Sequence, residues 1–590
     1  MKHWFLVFFL ALAAAVPARA IDRQAFTITR YQLEVQVDRT SHVLVVTGKV
    51  TLRNDSNTPQ KVAALQVSSS LEWNSITLDD KPVQWLSDEY TTDIDHTGAV
   101  TEAIVTLPAE LAHGASVTLG IQFGGTVTQD SKRLTRIGAP DDVATRNDWD
   151  QIGDDFTAVR GLGYVVWYPV AIDAVSMSDG NAVFDAIAAW KYRQQHSEFD
   201  ARILVAGAAN EALCVALNST VTSCGVSRDL PDSENGGKLK EFSNTLTLSG
   251  LGETVPAFAV ANYQTLDRPT ISFLHLPEET SIARDYALAA EANDPLLHDW
   301  LGEPGQPARV IELADPNANP YQSGAILFTP LRPAQTATLQ LLLMPTQVAA
   351  RFHSPHLWIE EGMERFLQCV SVDSRSGRKS ALAFLDEYRE PLVRAEEVAH
   401  PKEDAASKPV TETGTADNTL LNTNDELYLR GKSSFVLWML RDMVGDTAMQ
   451  SALAKYHPGA DKDPSYLQKL LQTSSKRDLE WFFDDWVYRD RGLPDFHVAS
   501  AYVRPLLSEA TKSFLLTASI ENRGHAGAEV PVLVQTPSGE KVIRVLVKGE
   551  GKESGRIELP VAPDKITVND GSVPEADTGN NVYDVPPPSK

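Results

Sequence analysis

The stretch LWIEEGMERFL, residues 357–367, lies well inside the 590-residue chain and has a helical pattern. Its apolar residues Ile359, Met363, Phe366 and Leu367 are spaced by four, three and one positions, so they share one face of an α-helix. An apolar stripe at this spacing is typical of a helix that packs on a core. We therefore interpret these residues as core and not as a cofactor pocket.

The periodicity changes on both sides of this helix. Upstream, Tyr31, Leu33, Val35 and Val37 alternate with polar residues, which is the period-two pattern of a half-buried strand. From about residue 280 the period becomes helical, and after Pro494 it alternates again. A chain of this length has room for several domains. We expect a multidomain α+β protein.

These changes divide the chain into five segments. We predict a signal peptide at residues 1–20, an N-terminal antiparallel β domain at 21–265, a mainly helical domain at 266–494, a C-terminal β-sandwich-like domain at 495–572 and a disordered tail at 573–590. Within the helical domain, the polar and aperiodic segment 394–424 predicts an exposed loop, with a solvated charged run at 396–404.

The N-terminus has the features of a secretory signal. Lys2 precedes an apolar run at residues 4–16, and Ala18-Arg19-Ala20 is a small-x-small site, so we expect cleavage after Ala20. A membrane anchor is the alternative, but the run is too short to span a bilayer comfortably. We predict a secreted or periplasmic protein, by preference in a bacterial envelope, with no membrane insertion after signal cleavage.

The net charge and the cysteine content argue against several classes of protein. The chain has 53 Lys and Arg against 78 Asp and Glu, a formal charge of −25. This argues against nucleic-acid binding, which needs a basic face. Three cysteines exclude a disulfide-dense scaffold and a multi-cysteine zinc module. Cys214 and Cys224 can bridge a hairpin in an oxidising compartment, and Cys369, in an apolar helical pattern, is expected to be a buried free thiol.

No common catalytic motif is present. The sequence contains no HExxH, no GxSxG and no phosphate-binding loop. Five weaker landmarks do occur in order, and they are the WYP of residues 167–169, the VPAFAVANY of 255–263, the LWIEEG of 357–362, the YLRG of 428–431, and the segment 478–486 followed by the GLP of 492–494.

In this order the landmarks resemble the gluzincin aminopeptidases, the group of membrane alanyl aminopeptidase and leukotriene hydrolase. The resemblance covers about residues 25–495. It implies an N-terminal β domain of the aminopeptidase type and a thermolysin-like domain that carries the active site. A gluzincin aminopeptidase is a zinc enzyme, so the resemblance also requires a search for the zinc ligands in this sequence.

The resemblance assigns roles to four positions. LWIEEG is similar to the family's LWLNEG, which places the third zinc ligand at Glu361. YLRG is similar to the Y-x-K-G motif, which places the transition-state tyrosine at Tyr428. Residues 324–328 resemble the GAMEN exopeptidase motif at Gly324 and Ala325, but Leu327 replaces the glutamate that grips the substrate's amino group. We treat Glu361, Tyr428, Gly324 and Ala325 as remnants of a groove.

The zinc site itself is missing. In the family, the second zinc histidine lies nineteen positions before the ligand glutamate, which gives Leu342 here. The first histidine and the general base correspond to Thr338 and Leu339. Pro345 follows three residues later, where it is expected to break the family's helix. One carboxylate cannot hold a catalytic zinc ion, which needs three protein ligands. We therefore expect no metal, no cofactor and no intact catalytic residue.

The surviving residues have alternative interpretations. Glu361 is either a solvated residue that pairs with Arg365 at i+4 or part of a retained groove. Tyr428 is either a packing residue or a groove residue. His353 and His356, close to two glutamates, are either surface histidines or a relocated metal site.

The function that follows is binding without peptidase activity. We expect an exported aminopeptidase-like protein that is catalytically inactive. It would bind a peptide or a protein partner through the groove that holds the substrate in the family. One alternative is a metallopeptidase or hydrolase with a relocated metal site. The other is a structural or interaction protein of the envelope that works through its C-terminal β domain.

Overall fold

A computed structural model describes the greater part of the chain. The described residues are 21–218, 224–231, 238–252, 254–399, 419–423, 425–507 and 512–586. The predicted signal peptide lies outside these residues, and so does most of the charged run predicted to be a solvated loop. Within the described residues, no helix is long and apolar enough to cross a membrane.

The N-terminal part consists mainly of strands that enclose one apolar core. They form an eight-stranded sheet in the order β12-β13-β10-β1-β2-β8-β4-β5 and two three-stranded sheets, β3-β7-β6 and β11-β14-β9. The strands are β1 Phe26–Asp38, β2 Val43–Asn54, β3 Gln60–Ser68, β4 Leu71–Leu78, β5 Lys81–Pro82, β6 Gln84–Thr91, β7 Ala99–Leu111, β8 Ser116–Thr126, β9 Thr157–Val159, β10 Glu198–Ala208, β11 Cys214–Leu217, β12 Val226–Asp229, β13 Leu239–Leu248 and β14 Phe258–Ala261.

Two features of this part differ from the predicted antiparallel β domain. Strands β1 and β10 pair in parallel, so the large sheet is mixed. Three helices also interrupt the strands, and they are α1 Lys132–Arg136, α2 Asp141–Asn147 and α3 Ala182–Gln194. The parallel pair requires a long crossover between its two strands, and all three helices lie within that crossover.

The middle part combines a five-stranded sheet with most of the helices. The sheet has the order β15-β16-β17-β19-β18, and β16, β17 and β19 are parallel. Its strands are β15 Gln264–Asp267, β16 Ile271–His275, β17 Ala308–Glu312, β18 Tyr321–Ser323 and β19 Ile326–Thr329. The helices are α4 Thr280–Glu291, α5 Asp294–Leu301, α6 Thr336–Ala349, α7 Leu357–Ser376, α8 Arg378–Asp386, α9 Arg389–Ala399, α10 Glu426–Val444, α11 Asp446–Leu453, α12 Tyr466–Ser475 and α13 Glu480–Phe483. Short 3₁₀ turns at Pro277–Glu279 and Pro458–Ala460 and a π-helical turn at Asp484–Tyr488 complete it.

Helix α7 contains the stretch that the sequence marks as a core helix. Ile359, Met363, Phe366 and Leu367 are fully buried in one large cluster with residues of α10. The prediction of a core face at these positions is confirmed. The sheet lies beyond α6, so α7 and α10 form the helical centre of this part.

Helix α6 continues through Pro345, which contradicts the predicted helix break. A proline in a helix leaves the carbonyl four residues earlier without its usual donor. That carbonyl belongs to Leu341, and it accepts a hydrogen bond from Gln368 Nε2 at 2.7 Å. The carbonyl of Gln340 accepts one from Asn293 Nδ2 at 2.9 Å. Side-chain amides from two neighbouring segments thus stabilise the interrupted helix.

The predicted loop at 394–424 is also partly wrong. Residues 394–399 belong to α9, and Glu396 is 5% exposed instead of solvated. Its carboxylate contacts Lys432 and Tyr428 of α10. The burial of Glu396 follows from these partners, which lie far away in the sequence.

The C-terminal part consists of two antiparallel sheets, β20-β21-β24 and β23-β22-β25-β26. Their strands are β20 Phe496–Leu507, β21 Lys512–Asn522, β22 Ala528–Thr536, β23 Gly539–Val547, β24 Lys552–Leu559, β25 Lys565–Val568 and β26 Val582–Asp584. The prediction of a disordered tail is wrong for residues 573–586. Strand β26 pairs with β25, and the buried Glu575 accepts hydrogen bonds from Phe496 N and Asn569 Nδ2.

The three cysteines are divided between one bridge and one free thiol. Cys214 and Cys224 form a disulfide. Cys369 is free and buried in the core around α7, as its apolar helical pattern predicts. Burial raises the pKa of the Cys369 thiol to about 12, so the group is an inert part of the core.

Candidate functional site

Helices α7 and α10 come unusually close together at Gly362. A Cβ atom at this position would lie 2.5 Å from Ser433 Cβ, so a glycine is required for the two helices to pack here. The close contact places Glu361 of α7 opposite Arg430 of α10. Glu361 Oε2 accepts a hydrogen bond from Arg430 Nε at 2.7 Å. The side chains are 29% and 47% exposed, so this ion pair lies at the surface.

The predicted pairing of Glu361 with Arg365 is not found. Arg365 NH2 donates instead to Glu387 Oε2 at 2.8 Å, and its guanidinium lies 3.3 Å from the centre of the Phe384 ring. Arg430 competes successfully for Glu361 because the close helix contact brings it within direct reach. Helical spacing alone predicted the wrong partner.

Glu364 lies one helical turn after Glu361 and is half-buried. Its Oε1 accepts a hydrogen bond from Gln322 Nε2, the central residue of β18, at 2.9 Å. Burial raises the pKa of the Glu364 carboxyl well above its usual range, and the nearby Glu361 charge raises it further. Two carboxyl groups therefore share a small surface beside the Arg430 guanidinium.

Gly324 and Ala325 form the turn between β18 and β19. Gly324 is exposed and has φ 54°, and a Cβ there would meet no atom within 4 Å. Its carbonyl accepts a hydrogen bond from Gln322 Nε2 at 3.2 Å, the same amide that contacts Glu364. The turn is thus adjacent to the Glu364 carboxylate. We call Gln322, Gly324, Glu361, Glu364 and Arg430 the α7 surface.

Leu327 and Tyr428 do not contribute to the α7 surface. Leu327, at the position of the GAMEN glutamate, is 3% exposed and belongs to the core between the five-stranded sheet and α6. Tyr428 is 1% exposed, and its hydroxyl donates to Asp490 Oδ2 at 2.8 Å. Lys432 Nζ donates to the Tyr428 hydroxyl at 2.8 Å and also contacts Asp490 and Glu396.

This buried cluster determines what Tyr428 can do. Burial raises the pKa of the Tyr428 hydroxyl far above its usual range, and the charges of Glu396 and Asp490 raise it further. Of the two interpretations of Tyr428, the structure supports a packing residue whose hydroxyl is satisfied inside the protein. Four of the predicted groove positions therefore separate into a surface group of three, Glu361, Gly324 and Ala325, and the internal Tyr428.

The residues at the family's zinc positions do not fit a zinc ion. Thr338 is exposed on the first turn of α6, Leu339 is 2% exposed within the core, and Leu342 packs against the same core. The remaining candidate, Glu361, is already paired with Arg430. No group of three or more His, Cys, Asp or Glu side chains able to hold a metal occurs among the described residues.

The two histidines before α7 are separated by their contacts. His353 Nδ1 lies 3.1 Å from Glu360 Oε1. His356 Nε2 lies 3.2 Å from the buried Asp461 Oδ1. Each histidine thus has its own carboxylate, and the two do not converge on one point.

Several residues of the site were missed by the sequence analysis. Arg430 and Lys432 lie on the YLRG helix, and Lys432 follows Tyr428 at i+4, a spacing that places both on one face. This spacing could have predicted the contact between Tyr428 and Lys432 from the sequence. Glu364 falls one turn after Glu361 and was equally visible. Gln322 and Asp490 carry no signal, because their partners are distant in sequence.

The α7 surface consists of polar groups that can bind a ligand. It offers two carboxylates, one guanidinium, one carboxamide and an open glycine turn. Such groups recognise a cation or a hydrogen-bonding backbone. They provide neither a metal-bound water nor an activated hydroxyl or thiol.

Comparison with known proteins gives a distant structural likeness. No family model matches the chain, and no curated protein matches it either. Among solved structures, the fold is similar to a crystal structure of a mutant M1 zinc metallopeptidase from Deinococcus radiodurans bound to a Tyr-Ser-Ala substrate. The two chains are 15% identical over 80% of this chain and 96% of that chain, with a TM-score of 0.44.

Proposed function

We propose that this chain is an exported, aminopeptidase-like protein that has lost zinc-dependent hydrolysis and binds a positively charged segment of a peptide or protein at the α7 surface. The observation that carries the proposal is the pair of carboxylates at Glu361 and Glu364, one turn apart beside the open turn at Gly324.

The loss of hydrolysis is supported by the residues at the positions of the two histidine ligands and the general base. Leu342, at the second histidine position, offers no lone pair to a metal, and Leu339, at the general-base position, is buried in the core. Without a ligand set there is no metal-bound water and no general base. Losing a general base alone lowers a rate by about 10² to 10⁴.

A preference for a cationic ligand is supported by the electrostatics of α7. The Glu364 carboxyl is held toward its neutral form by burial and by the charge on Glu361. A lysine, an arginine or an amino terminus placed between the two carboxylates would favour the ionised form of Glu364. Binding of such a group is therefore coupled to the release of a proton from Glu364.

Export is supported by two independent features. The first 20 residues have the pattern of a secretory signal. The disulfide between Cys214 and Cys224 is the type of bond that persists in oxidising compartments and is rare in the cytosol. We place the mature protein in the periplasm or outside the cell.

We also propose the domain assignment that the sequence resemblance suggests. Residues 21–265 form an N-terminal domain of the aminopeptidase type. Residues 266–494 form a thermolysin-like domain with a degenerate active site. Residues 495–572 form a β-sandwich domain to which the segment 573–586 adds one strand.

The binding half of the proposal is tested with dye-labelled peptides and purified mature protein. Fluorescence anisotropy is measured with a lysine-containing peptide and with an acidic peptide of the same length. We expect saturable binding of the basic peptide only, weakened about tenfold or more in the Glu361→Gln, Glu364→Gln double variant. Glu390→Gln, at an exposed glutamate of α9 that pairs with Arg394, serves as the matched control. Equal affinity of both variants for the basic peptide would rule out the α7 surface.

The catalytic half is tested in the same samples with aminoacyl reporter substrates. We expect no turnover above the rate of buffer alone, and no change upon adding zinc. Turnover that depends on Glu361 would contradict the loss of function.

A further inference from the structure

Four polar residues share one row of the five-stranded sheet, together with the apolar Ile326. The register places Asp267, Ser272, Arg309, Ile326 and Ser323 side by side on β15, β16, β17, β19 and β18. Alternation along β17 puts Arg309 on the same face as Ile311, because Ala308 and Val310 belong to the core on the other face. That face packs against β14 of the N-terminal part.

The Arg309 guanidinium is buried without a partner. The residue is 2% exposed, and neither NH1 nor NH2 has a hydrogen-bond partner among the described residues. Two deeply buried arginines of the N-terminal part, in contrast, are paired. Arg133 NH2 lies 2.6 Å from Asp148 Oδ1, and Arg160 NH2 lies 2.6 Å from Asp150 Oδ2. Arg309 therefore departs from the pattern that this protein follows elsewhere.

A buried cation whose terminal nitrogens have no hydrogen-bond partner among the described residues is energetically unfavourable. Burial lowers the pKa of the Arg309 guanidinium to about 10, which still leaves the group charged at neutral pH. Asp267, at the end of the same row, is exposed and only partly offsets this effect. Buried polar groups in native proteins almost always have partners, including bound ions. The missing partner is expected to be an anion.

We propose that Arg309 is the anchor of a binding site for a small oxyanion, a carboxylate or a phosphate group, between the five-stranded sheet and β14. A guanidinium presents two parallel N–H donors that match two oxygens of such an anion. Ser272 lies beside Arg309 in the row and is 5% exposed, and its hydroxyl is a further donor. Across the row, Ser323 Oγ accepts a hydrogen bond from Asn218 Nδ2 at 3.3 Å, which closes the site toward the N-terminal part.

This site is separate from the α7 surface and does not depend on the proposed function. The α7 surface is acidic and selects a cation, whereas the Arg309 site selects an anion. The two sites share only the turn at Gly324, since Arg309 N donates to Ala325 O at 2.8 Å. An occupied Arg309 site would also hold the N-terminal and middle parts together.

The experiment measures thermal unfolding of the mature protein against anion concentration at constant ionic strength, with chloride as the balancing anion. The probes are inorganic phosphate and N-acetylglycine, which separate the phosphate and carboxylate sources. The variants are Arg309→Met and Arg309→Lys. The matched control is Arg351→Met, at a buried arginine that does have a partner, with its NH2 2.6 Å from Asp294 Oδ1.

We expect a saturable rise of the unfolding midpoint of wild type, about 3 °C, with at least one probe. Arg309→Met loses this rise, and without the probe it is at least as stable as wild type, because an unpaired buried charge has been removed. Arg309→Lys retains a weaker rise. Arg351→Met is destabilised but keeps the rise.

Two results would overturn the proposal. One is an equal rise in wild type and Arg309→Met, which would mean that the anions act elsewhere. The other is a wild-type midpoint that neither probe changes, whatever the stability of the variants. If Arg309→Met fails to fold, titration calorimetry of wild type and Arg309→Lys with phosphate and N-acetylglycine decides the same question, since absent heat in wild type refutes the site.

Discussion

Gln368 Nε2 of α7 donates a hydrogen bond to the carbonyl oxygen of Leu341 in α6 at 2.7 Å. This carbonyl is the one that Pro345 leaves without a helical donor. The contact explains how α6 continues through a proline, and it joins α6 to α7.

The first prediction concerns this contact. Gln368→Leu leaves the Leu341 carbonyl without a donor and is expected to destabilise the protein by about 1–3 kcal/mol. Pro345→Ala restores a backbone N–H for that carbonyl, so the cost of Gln368→Leu should fall in the Pro345→Ala background. Denaturant unfolding of the four proteins in a double-mutant cycle measures this coupling. Strictly additive effects would show that Gln368 does not compensate for the proline.

The second prediction concerns the ion pair of Glu361 and Arg430. Both side chains are partly exposed, and exposed ion pairs contribute little to stability. Glu361→Gln should therefore change the free energy of unfolding by less than about 1 kcal/mol, with or without a chelator. A large loss of stability, or a chelator effect in wild type that the variant lacks, would indicate a metal ligand at Glu361.

The third prediction concerns the buried cluster of Lys432, Tyr428, Glu396 and Asp490. Lys432→Met removes the cation that contacts both buried carboxylates and should cost about 3–5 kcal/mol. Tyr428→Phe should cost less, about 1–3 kcal/mol. Chemical denaturation measures both. As the control, Lys469→Met at an exposed lysine should stay within about 1 kcal/mol of wild type.

The cluster also bears on the role of Tyr428. If the cluster is structural, Tyr428→Phe lowers stability and leaves binding of the basic peptide unchanged. If Tyr428→Phe instead lost peptide binding and kept the stability of wild type, Tyr428 would be a ligand-binding residue.

The fourth prediction is a pH dependence that arises from Glu312 at the end of β17. Burial raises the pKa of the Glu312 carboxyl to about 7, and the nearby Glu279 and Glu278 raise it, while a hydrogen bond from Leu276 N opposes the shift. The folded protein thus holds a proton that the unfolded chain releases near its ordinary pKa of 4.5. The contribution of Glu312 to stability is present below pH 4.5 and is lost as the pH rises through about 7.

The measurement is the unfolding midpoint of wild type and Glu312→Gln between these pH values. The stability of wild type relative to the variant should fall across the interval, by on the order of 3 kcal/mol at most. A difference that stays constant with pH would show that Glu312 does not titrate in this range.

How far the sequence predicted the structure depends on the distance between interacting residues. The core face of α7 was predictable because Ile359 and Met363 carry the helical period themselves. The partner of Glu361 was not, because Arg430 lies 69 residues away and Arg365 was the nearer choice. Glu396 looked like a solvated charge, since its partner Lys432 lies 36 positions on. Local pattern predicts local structure, and tertiary contacts decide which charges are buried.

The same reasoning explains Pro345 and the C-terminal tail. The helix break at Pro345 was a sound expectation from local rules, but Gln368 of α7 supplies the missing donor to the Leu341 carbonyl. The tail has little apolar pattern, yet Glu575 and β26 attach it to the C-terminal sheets.

The zinc content of the purified mature protein tests the central claim most directly. Elemental mass spectrometry after gentle dialysis gives the number of zinc ions per chain. We predict a value far below one, because Thr338, Leu339 and Leu342 offer no ligand set. Near-stoichiometric zinc would contradict the account and would direct mutagenesis to His353 and His356.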